Sequence, residues 1–329
     1  MNYAIVGCGL IGKKRLAGLP AGAKLVVACD TNLSRAEELV KNAQTGRAVS
    51  DFKLAVADPQ VDAVIVAAIN SALAEVSAAA IRAGKHVIVE KPAGISVKQI
   101  DELIALAEMR GVCVRVGFNH RYHPAFIKAH EIFASGVMGE LMFIRARYGH
   151  GGRVGYDKEW RANPKLSGGG ELIDQGIHLI DLAGWFLGEF KKIDGHAETY
   201  FWKMPVDDNA FLSLRTAKNQ TAWLHVSCTE WKNLFSFEIY GRHAKLNIEG
   251  IGGSYGVEKL FHYQMKPAMG IPDTKIYEFP GTDESWKIEM TEFEGDVQLK
   301  RQPAAGLAEA RAALQIVEEI YRKSGMLKL

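Results

Sequence analysis

The sequence lacks any run of roughly 18 apolar residues, the length a helix needs to cross a bilayer, so no membrane span is expected. Its opening residues, Met1 to Gly7, lack a charged region ahead of a long apolar core, so no signal peptide is expected either. Cysteine is scarce: Cys8, Cys29, Cys113 and Cys228 all lie in apolar stretches and none forms a C-x-x-C pair. The expectation is buried, reduced thiols in a cytoplasmic protein. Net charge is nearly absent, with 40 Lys and Arg against 38 Asp and Glu. That balance gives no electrostatic reason to expect nucleic acid or an anionic membrane as a partner. Internal repeats and low-complexity segments are missing too, which excludes solenoids and compositionally biased tails.

What remains is ordinary globular composition, 48% hydrophobic and 24% charged, over 329 residues. That length suits two domains, expected at 1–120 and 121–329. Short Val- and Ile-rich runs at 3–6, 25–29, 63–67, 86–89 and 113–116 are apolar on both faces, as central parallel strands are. Helical patterns at 10–19, 34–41, 71–83 and 97–110 separate them, with Ser96 and Gly111 as start and stop signals for the last. This alternation predicts a doubly wound parallel sheet of the Rossmann type. Beyond residue 120 the pattern changes. Helices are expected at 125–134 and 171–186, then alternating segments between 193 and 263, then helices at 285–293 and 304–323. The second part therefore reads as α+β, built on one large, open, mostly antiparallel sheet.

Gly7-Cys8-Gly9-Leu10-Ile11-Gly12 is a G-x-G-x-x-G turn that follows a strand and opens a helix, and Asp30 ends the next strand. Together these make a dinucleotide fingerprint. Gly7 permits the turn, Gly9 lets the backbone approach a pyrophosphate, and Gly12 lets the helix pack on the strand. The free N–H groups at Leu10, Ile11 and Gly12 face the phosphates. Asp30 would accept from the ribose hydroxyls and repel a 2′-phosphate, which favours NAD over NADP. Lys13, Lys14 and Arg15 read as a solvated helical turn.

Two further clusters carry chemistry. Glu90-Lys91-Pro92 ends a parallel strand, where ligands bind in open α/β sheets, so Lys91 is a candidate acid, base or charge stabiliser. Asp174 and His178, four apart on an expected helix after Gly168-Gly169-Gly170, share a face, and Asp181 follows. An Asp there orients a His, although the spacing alone suits a structural pair equally well. The glycines allow close approach of backbone to a ligand, or simply flexibility. His120 and His123 have H-x-x-H spacing, but no acidic or cysteine partner at ligand spacing lies near them in the chain, and no metal is expected.

The order of these motifs, with Gly117-Phe118-Asn119 and Arg121-Tyr122 at the domain change, resembles the glucose–fructose oxidoreductase / inositol dehydrogenase / MocA family over essentially the whole chain. The resemblance implies a Rossmann domain followed by an α/β domain with an open sheet. It implies a catalytic set of Lys91, Asp174 and His178, with His178 as general base and Lys91 near the nicotinamide ribose and the reacting oxygen. It places Glu90 at the cofactor end of the site, and Asn70 and Asn119 among the cofactor contacts. Where many members read T-P-N-x-x-H, this chain has Ala68-Ile69-Asn70-Ser71-Ala72-Leu73, so only the Asn is kept and the cofactor contacts of that loop differ.

The expected activity is oxidation of a secondary hydroxyl on a pyranose, cyclitol or nucleotide-linked sugar by hydride transfer to NAD. The alternatives are a redox-neutral enzyme with retained nicotinamide, or a nicotinamide sensor. Arg121, Tyr122, Tyr156, Trp160 and Arg161 join Lys91, Asp174 and His178 as candidate substrate contacts, because aromatics beside basic residues suit a sugar, bare or phosphorylated. The sheet face not covered by helices, expected to carry Trp202, Phe211, Leu212, Leu214, Trp223 and Phe237, points to a homodimer or homotetramer.

Overall fold

A computed structural model describes residues 1–326, so 327–329 of the expected second domain lie outside the described residues. The chain divides into two compact units. The first takes in Met1–Asn119, and also Lys165–Gly168 and Trp286–Gln315.

Its strands are β1 (Asn2–Val6), β2 (Lys24–Cys29), β3 (Arg47–Val49), β4 (Ala63–Val66), β5 (His86–Glu90) and β6 (Val114–Gly117). All pair in parallel, in the order β3-β2-β1-β4-β5-β6, the doubly wound order. Helices α1 (Leu10–Ala17), α2 (Leu33–Ala43), α3 (Phe52–Val56), α4 (Asn70–Arg82) and α5 (Val97–Arg110) connect them. The Ser96 hydroxyl accepts from the Gln99 N–H, and Gly111 ends α5 in the left-handed conformation, as the sequence signals. The sequence reading misses β3 and α3, since three and five residues are too few to show a period. It also assigns the helix Ser285–Leu299 to the second part by order alone. Met290 and Phe293 of that helix are fully buried in the same core as Tyr3, Ile5, Ile65 and Ile88.

The second unit comprises His120–Pro164, Gly169–Ser285 and the chain from Ile316. It contains α6 (Pro124–Ala134) and β7 (Leu141–Gly149). The short helix α7 (Pro164–Ser167) leads to a π-helical turn, Leu172–Gly176, and then α8 (Ile177–Leu187). Strands β8 (Phe190–Glu198), β9 (Asn209–Thr216), β10 (Thr221–Ser227), β11 (Leu234–Gly241), β12 (Ala244–Glu249), β13 (Glu258–Gln264) and β14 (Asp273–Phe279) follow. The chain closes with α9 (Ser285–Leu299) and α10 (Leu307–Ser324).

The eight strands form one sheet in the order β14-β13-β12-β11-β7-β10-β9-β8, antiparallel except where β10 runs parallel to β7. One face packs on α6 and α8: the Phe237 ring contacts Phe126 at 5.3 Å and Phe186 at 6.3 Å. Leu212, Leu214 and Phe237 belong to this covered face and are buried, which corrects their expected place on the open one. Alternation sends Phe211, His225 and Trp223 to the other side, where Trp223 stays 55% exposed. Trp202 lies in the loop after β8.

Candidate functional site

The Gly-rich turn is built as its spacing predicts. Gly7 has φ +96°, and a Cβ on it would lie 2.3 Å from the Ala67 carbonyl oxygen. A Cβ on Gly12 would lie 2.1 Å from the Gly7 carbonyl oxygen, so α1 sits on its strand too closely for any side chain there. Gly9 differs. Its φ is an ordinary −74°, and a Cβ would meet nothing within 4 Å. The glycine leaves open space against the backbone instead of relieving a clash, as a cradle for a ligand requires. Gly9 starts α1 without a side-chain cap, and no acidic residue occupies the first turn, so the N–H groups at Leu10, Ile11 and Gly12 keep their anion-binding character. Asp30 binds this turn through one carboxylate oxygen, which accepts from the Cys8 N–H at 2.9 Å, while the other accepts from the Asn32 N–H. These residues fit a dinucleotide.

Beside them lies a buried charge network. Arg15 is fully buried, which corrects its reading as a solvated residue. Its guanidinium donates to Glu90 and to Glu289, each at 2.6 Å, and its face lies 4.7 Å from the Trp286 ring. Burial pushes the Glu289 carboxyl up, and Arg15 pulls the other way. Glu90 is therefore held from behind, one residue before the half-buried Lys91. Asn70 is buried at the start of α4, with its amide donating to the Ser167 carbonyl at 2.8 Å. Asn119 is buried where a 3₁₀ turn, Asn119–Tyr122, begins, and Tyr122 is half-buried.

In the second unit Asp174 sits inside the π-helical turn and His178 in the first turn of α8. Asp174 accepts from the Arg161 Nε at 3.0 Å, and the Arg161 guanidinium lies 4.6 Å from the Trp160 ring. The His178 ring stacks on His120 at 3.8 Å, nearly parallel. His120 Nε2 is 3.2 Å from the Tyr148 hydroxyl, and the Tyr148 ring meets that of Tyr255 edge-on with centroids 5.2 Å apart. Burial raises the Tyr148 hydroxyl well above its usual range and lifts Tyr255 to about 12, with Asp174 and Glu171 adding to both effects. Tyr156 is buried and donates to the Glu171 carboxylate at 3.4 Å. His150 lies 3.5 Å from Glu171; burial lowers its affinity for a proton, but the Glu171 carboxylate outweighs this and raises it. Tyr156, Trp160, Arg161, Asp174 and His178 thus share a neighbourhood of carboxylates, imidazoles and phenols.

Arg121 is placed differently. It makes two bonds to Asp181, at 2.8 and 2.6 Å, and both residues are buried. His123 Nδ1 is 3.0 Å from Glu258, so the two histidines of the H-x-x-H pair turn to different partners. Among the described residues no group of three His, Cys, Asp or Glu side chains could hold a metal. Sequence reasoning missed His150, Glu171, Tyr148 and Tyr255 altogether. Tyr148 and Tyr255 are 107 residues apart in the chain and gave no joint signal.

Residues 1–118 match the family described as oxidoreductase, NAD-binding Rossmann fold, and residues 126–247 match the GFO/IDH/MocA C-terminal domain. An inositol 2-dehydrogenase from Saccharopolyspora erythraea is 31% identical over 194 residues, covering 57% of this chain and 54% of that protein. A levoglucosan dehydrogenase from Pseudarthrobacter phenanthrenivorans is 26% identical over 66% of this chain and 59% of its own. The chain thus spans little more than half the length of these relatives. A solved levoglucosan dehydrogenase, in complex with NADH and levoglucosan, superposes with a TM-score of 0.88 at 22% identity, covering 98% of each chain. At that identity the likeness shows the fold. With an NAD-binding Rossmann sheet followed by the open-sheet domain, the chain belongs to the Gfo/Idh/MocA family of oxidoreductases.

Proposed function

We propose that this protein is an NAD-dependent dehydrogenase that oxidises a secondary hydroxyl of an uncharged pyranose or cyclitol. The observation that carries the substrate class is the charge pairing around Asp174. Arg161 is bound to Asp174, Arg153 to Glu159 and Arg121 to Asp181, while Glu171 adds a further buried carboxylate. These arginines are committed to carboxylates, which disfavours a phosphate, whereas carboxylates, imidazoles and phenols suit sugar hydroxyls. The names of the relatives, inositol 2-dehydrogenase and levoglucosan dehydrogenase, support the same class.

The catalytic set proposed from the family resemblance is Lys91, Asp174 and His178. When bound, NAD⁺ accepts the hydride from the carbinol carbon. His178 takes the hydroxyl proton, Lys91 stabilises the negative charge developing on that oxygen, and Asp174 favours the protonated His178 that results. The Gly7–Gly12 turn, Asp30 and Asn119 hold the cofactor, and Tyr156, Trp160 and Arg161 line the substrate side. The cytoplasm suits the four free thiols. The open sheet face carries Trp223 and the stacked rings of Phe211 and His225, 4.3 Å apart, and serves a homodimer or homotetramer; a monomer at micromolar concentration overturns that assignment.

The test is the 340 nm absorbance of the protein with NAD⁺ and a panel of cyclitols, free pyranoses, sugar phosphates and nucleotide sugars. The expected result is a rise with an uncharged member that is lost in His178→Asn. Turnover confined to phosphorylated or nucleotide-linked members overturns the substrate class. Nucleotide retained through purification, with no net absorbance change until a second substrate is added, establishes the redox-neutral cycle instead. Tight NADH binding with no turnover of any kind would leave the sensor.

A further inference from the structure

Asp207 is fully buried in the segment between β8 and β9, far along the chain from the helix that carries Asp174 and His178. One of its carboxylate oxygens accepts from the Gly170 N–H at 2.8 Å and from the Tyr321 hydroxyl at 2.7 Å. The other accepts from the Leu172 N–H at 2.7 Å, and its backbone carbonyl accepts from the Glu171 N–H at 3.0 Å. The Tyr321 oxygen also accepts from Gly170 at 3.1 Å and from Ile173 at 3.3 Å. Four consecutive N–H groups, Gly170 to Ile173, therefore end on two side chains and one carbonyl of distant residues. A helix start normally leaves such groups to a cap residue just before it. The carboxylate also sits where the helix dipole favours an anion.

The glycines are shaped to this contact. A Cβ on Gly170 would lie 1.9 Å from the Asp207 carbonyl oxygen, and one on Gly169 would lie 2.3 Å from the Tyr321 hydroxyl oxygen. Close approach is thus made to Asp207 and Tyr321.

Asp174 lies within the π-helical turn Leu172–Gly176 and His178 just beyond it. A π-turn holds one residue more than an α-turn, so relaxing it to α-helix rotates one side of the turn against the other by about 100°. Pinning the N–H groups that enter the turn opposes that relaxation. We propose that Asp207 and Tyr321 form a clamp that holds this register and are positioning residues for Asp174 and His178; the catalytic part of this inference rests on the dehydrogenase reading.

The test uses Tyr321→Phe, which keeps the ring and removes the oxygen, with Asp207→Asn as a second variant should the first fold poorly. Amide exchange of the peptide spanning 168–178 should quicken at least about ten-fold. With an accepted substrate, kcat should fall about ten- to hundred-fold while KM for NAD⁺ changes less than about two-fold. Unchanged exchange overturns the clamp. Quickened exchange with kcat within about two-fold of wild type overturns positioning and leaves a structural role. Should the wild type turn over no member of the panel, the dehydrogenase reading fails separately. The His178 imidazole NMR signal then decides positioning: a shift between wild type and Tyr321→Phe supports it, and an unmoved signal overturns it.

Discussion

The two units present their chemistry by different means. In the first, the groups proposed to face the ligand are backbone N–H groups on a turn of six consecutive residues, and one strand end is followed by Lys91. Behind that strand end stands a charged triad, Glu90–Arg15–Glu289, with Arg15 wholly buried. In the second, the groups are side chains gathered from β7, α8 and the loops. The segment carrying Asp174 is held by hydrogen bonds to its own backbone N–H groups. A site made of backbone tolerates change in side chains but not in glycines. A site made of side chains depends on whatever fixes the turn beneath them.

The largest effect expected to sharpen this contrast comes from His178→Asn. It should cost about 10²–10⁴-fold in kcat while leaving NADH affinity unchanged, because it lies outside the nucleotide turn. Fluorescence titration with NADH beside steady-state kinetics checks both halves, and a comparable loss in both would blur the division. Next is Arg15→Met, which strands two carboxylates in the interior and should cost about 3–5 kcal/mol of stability. Glu289→Gln, which keeps the shape and removes a charge already disfavoured by burial, should cost far less. Chemical denaturation of the two variants orders them, and equal losses would refute the triad account.

Asp207 adds a pH dependence of known sign. Burial is the main cause that lifts its carboxyl from 3.8 up to about 6, against the hydrogen bonds from Tyr321, Leu172 and Gly170. Between about pH 4 and 6 the native protein then holds this proton and the unfolded chain does not. The contribution is fully present below about pH 4 and is lost as pH rises through 6, a change of about 3 kcal/mol. Wild-type stability measured against Asp207→Asn should decline across that window, and a flat difference would contradict the burial account. The smallest effect on stability is expected from Gly9→Ala. Its Cβ enters open space at an ordinary φ, so stability should hold or rise by about 0.4–1 kcal/mol. NADH affinity should still fall at least about ten-fold, which a calorimetric titration checks, since that space is where a pyrophosphate would approach. Unchanged affinity would remove Gly9 from the cofactor cradle.

Most of the first unit was legible from residue order. Strands apolar on both faces, the Ser96 cap, the Gly111 stop and the Gly7–Gly12 turn are short-range signals, and each appears where its spacing put it. What escaped was short or distant. β3 was too brief to show a period. Arg15 looked solvated, because its partners lie 75 and 274 residues away. In the second unit alternation revealed the strands, but not which face the helices α6 and α8 would cover, so Leu212, Leu214 and Phe237 were put on the wrong side. The Gly168–Gly170 run marked the site without its reason, since neither Asp207 nor Tyr321 is near it in sequence.

By itself, then, the sequence determined the nucleotide turn, the doubly wound sheet, the family and the identities of Lys91, Asp174 and His178 as candidates. These rest on local spacing, where the chain's own geometry places one residue relative to the next. Only the tertiary structure decided that Asp174 meets Arg161, that His178 stacks on His120, and that Asp174 sits within a π-turn. Those contacts join residues 13 and 58 positions apart, whose meeting depends on how whole elements pack, a matter that no short-range spacing encodes.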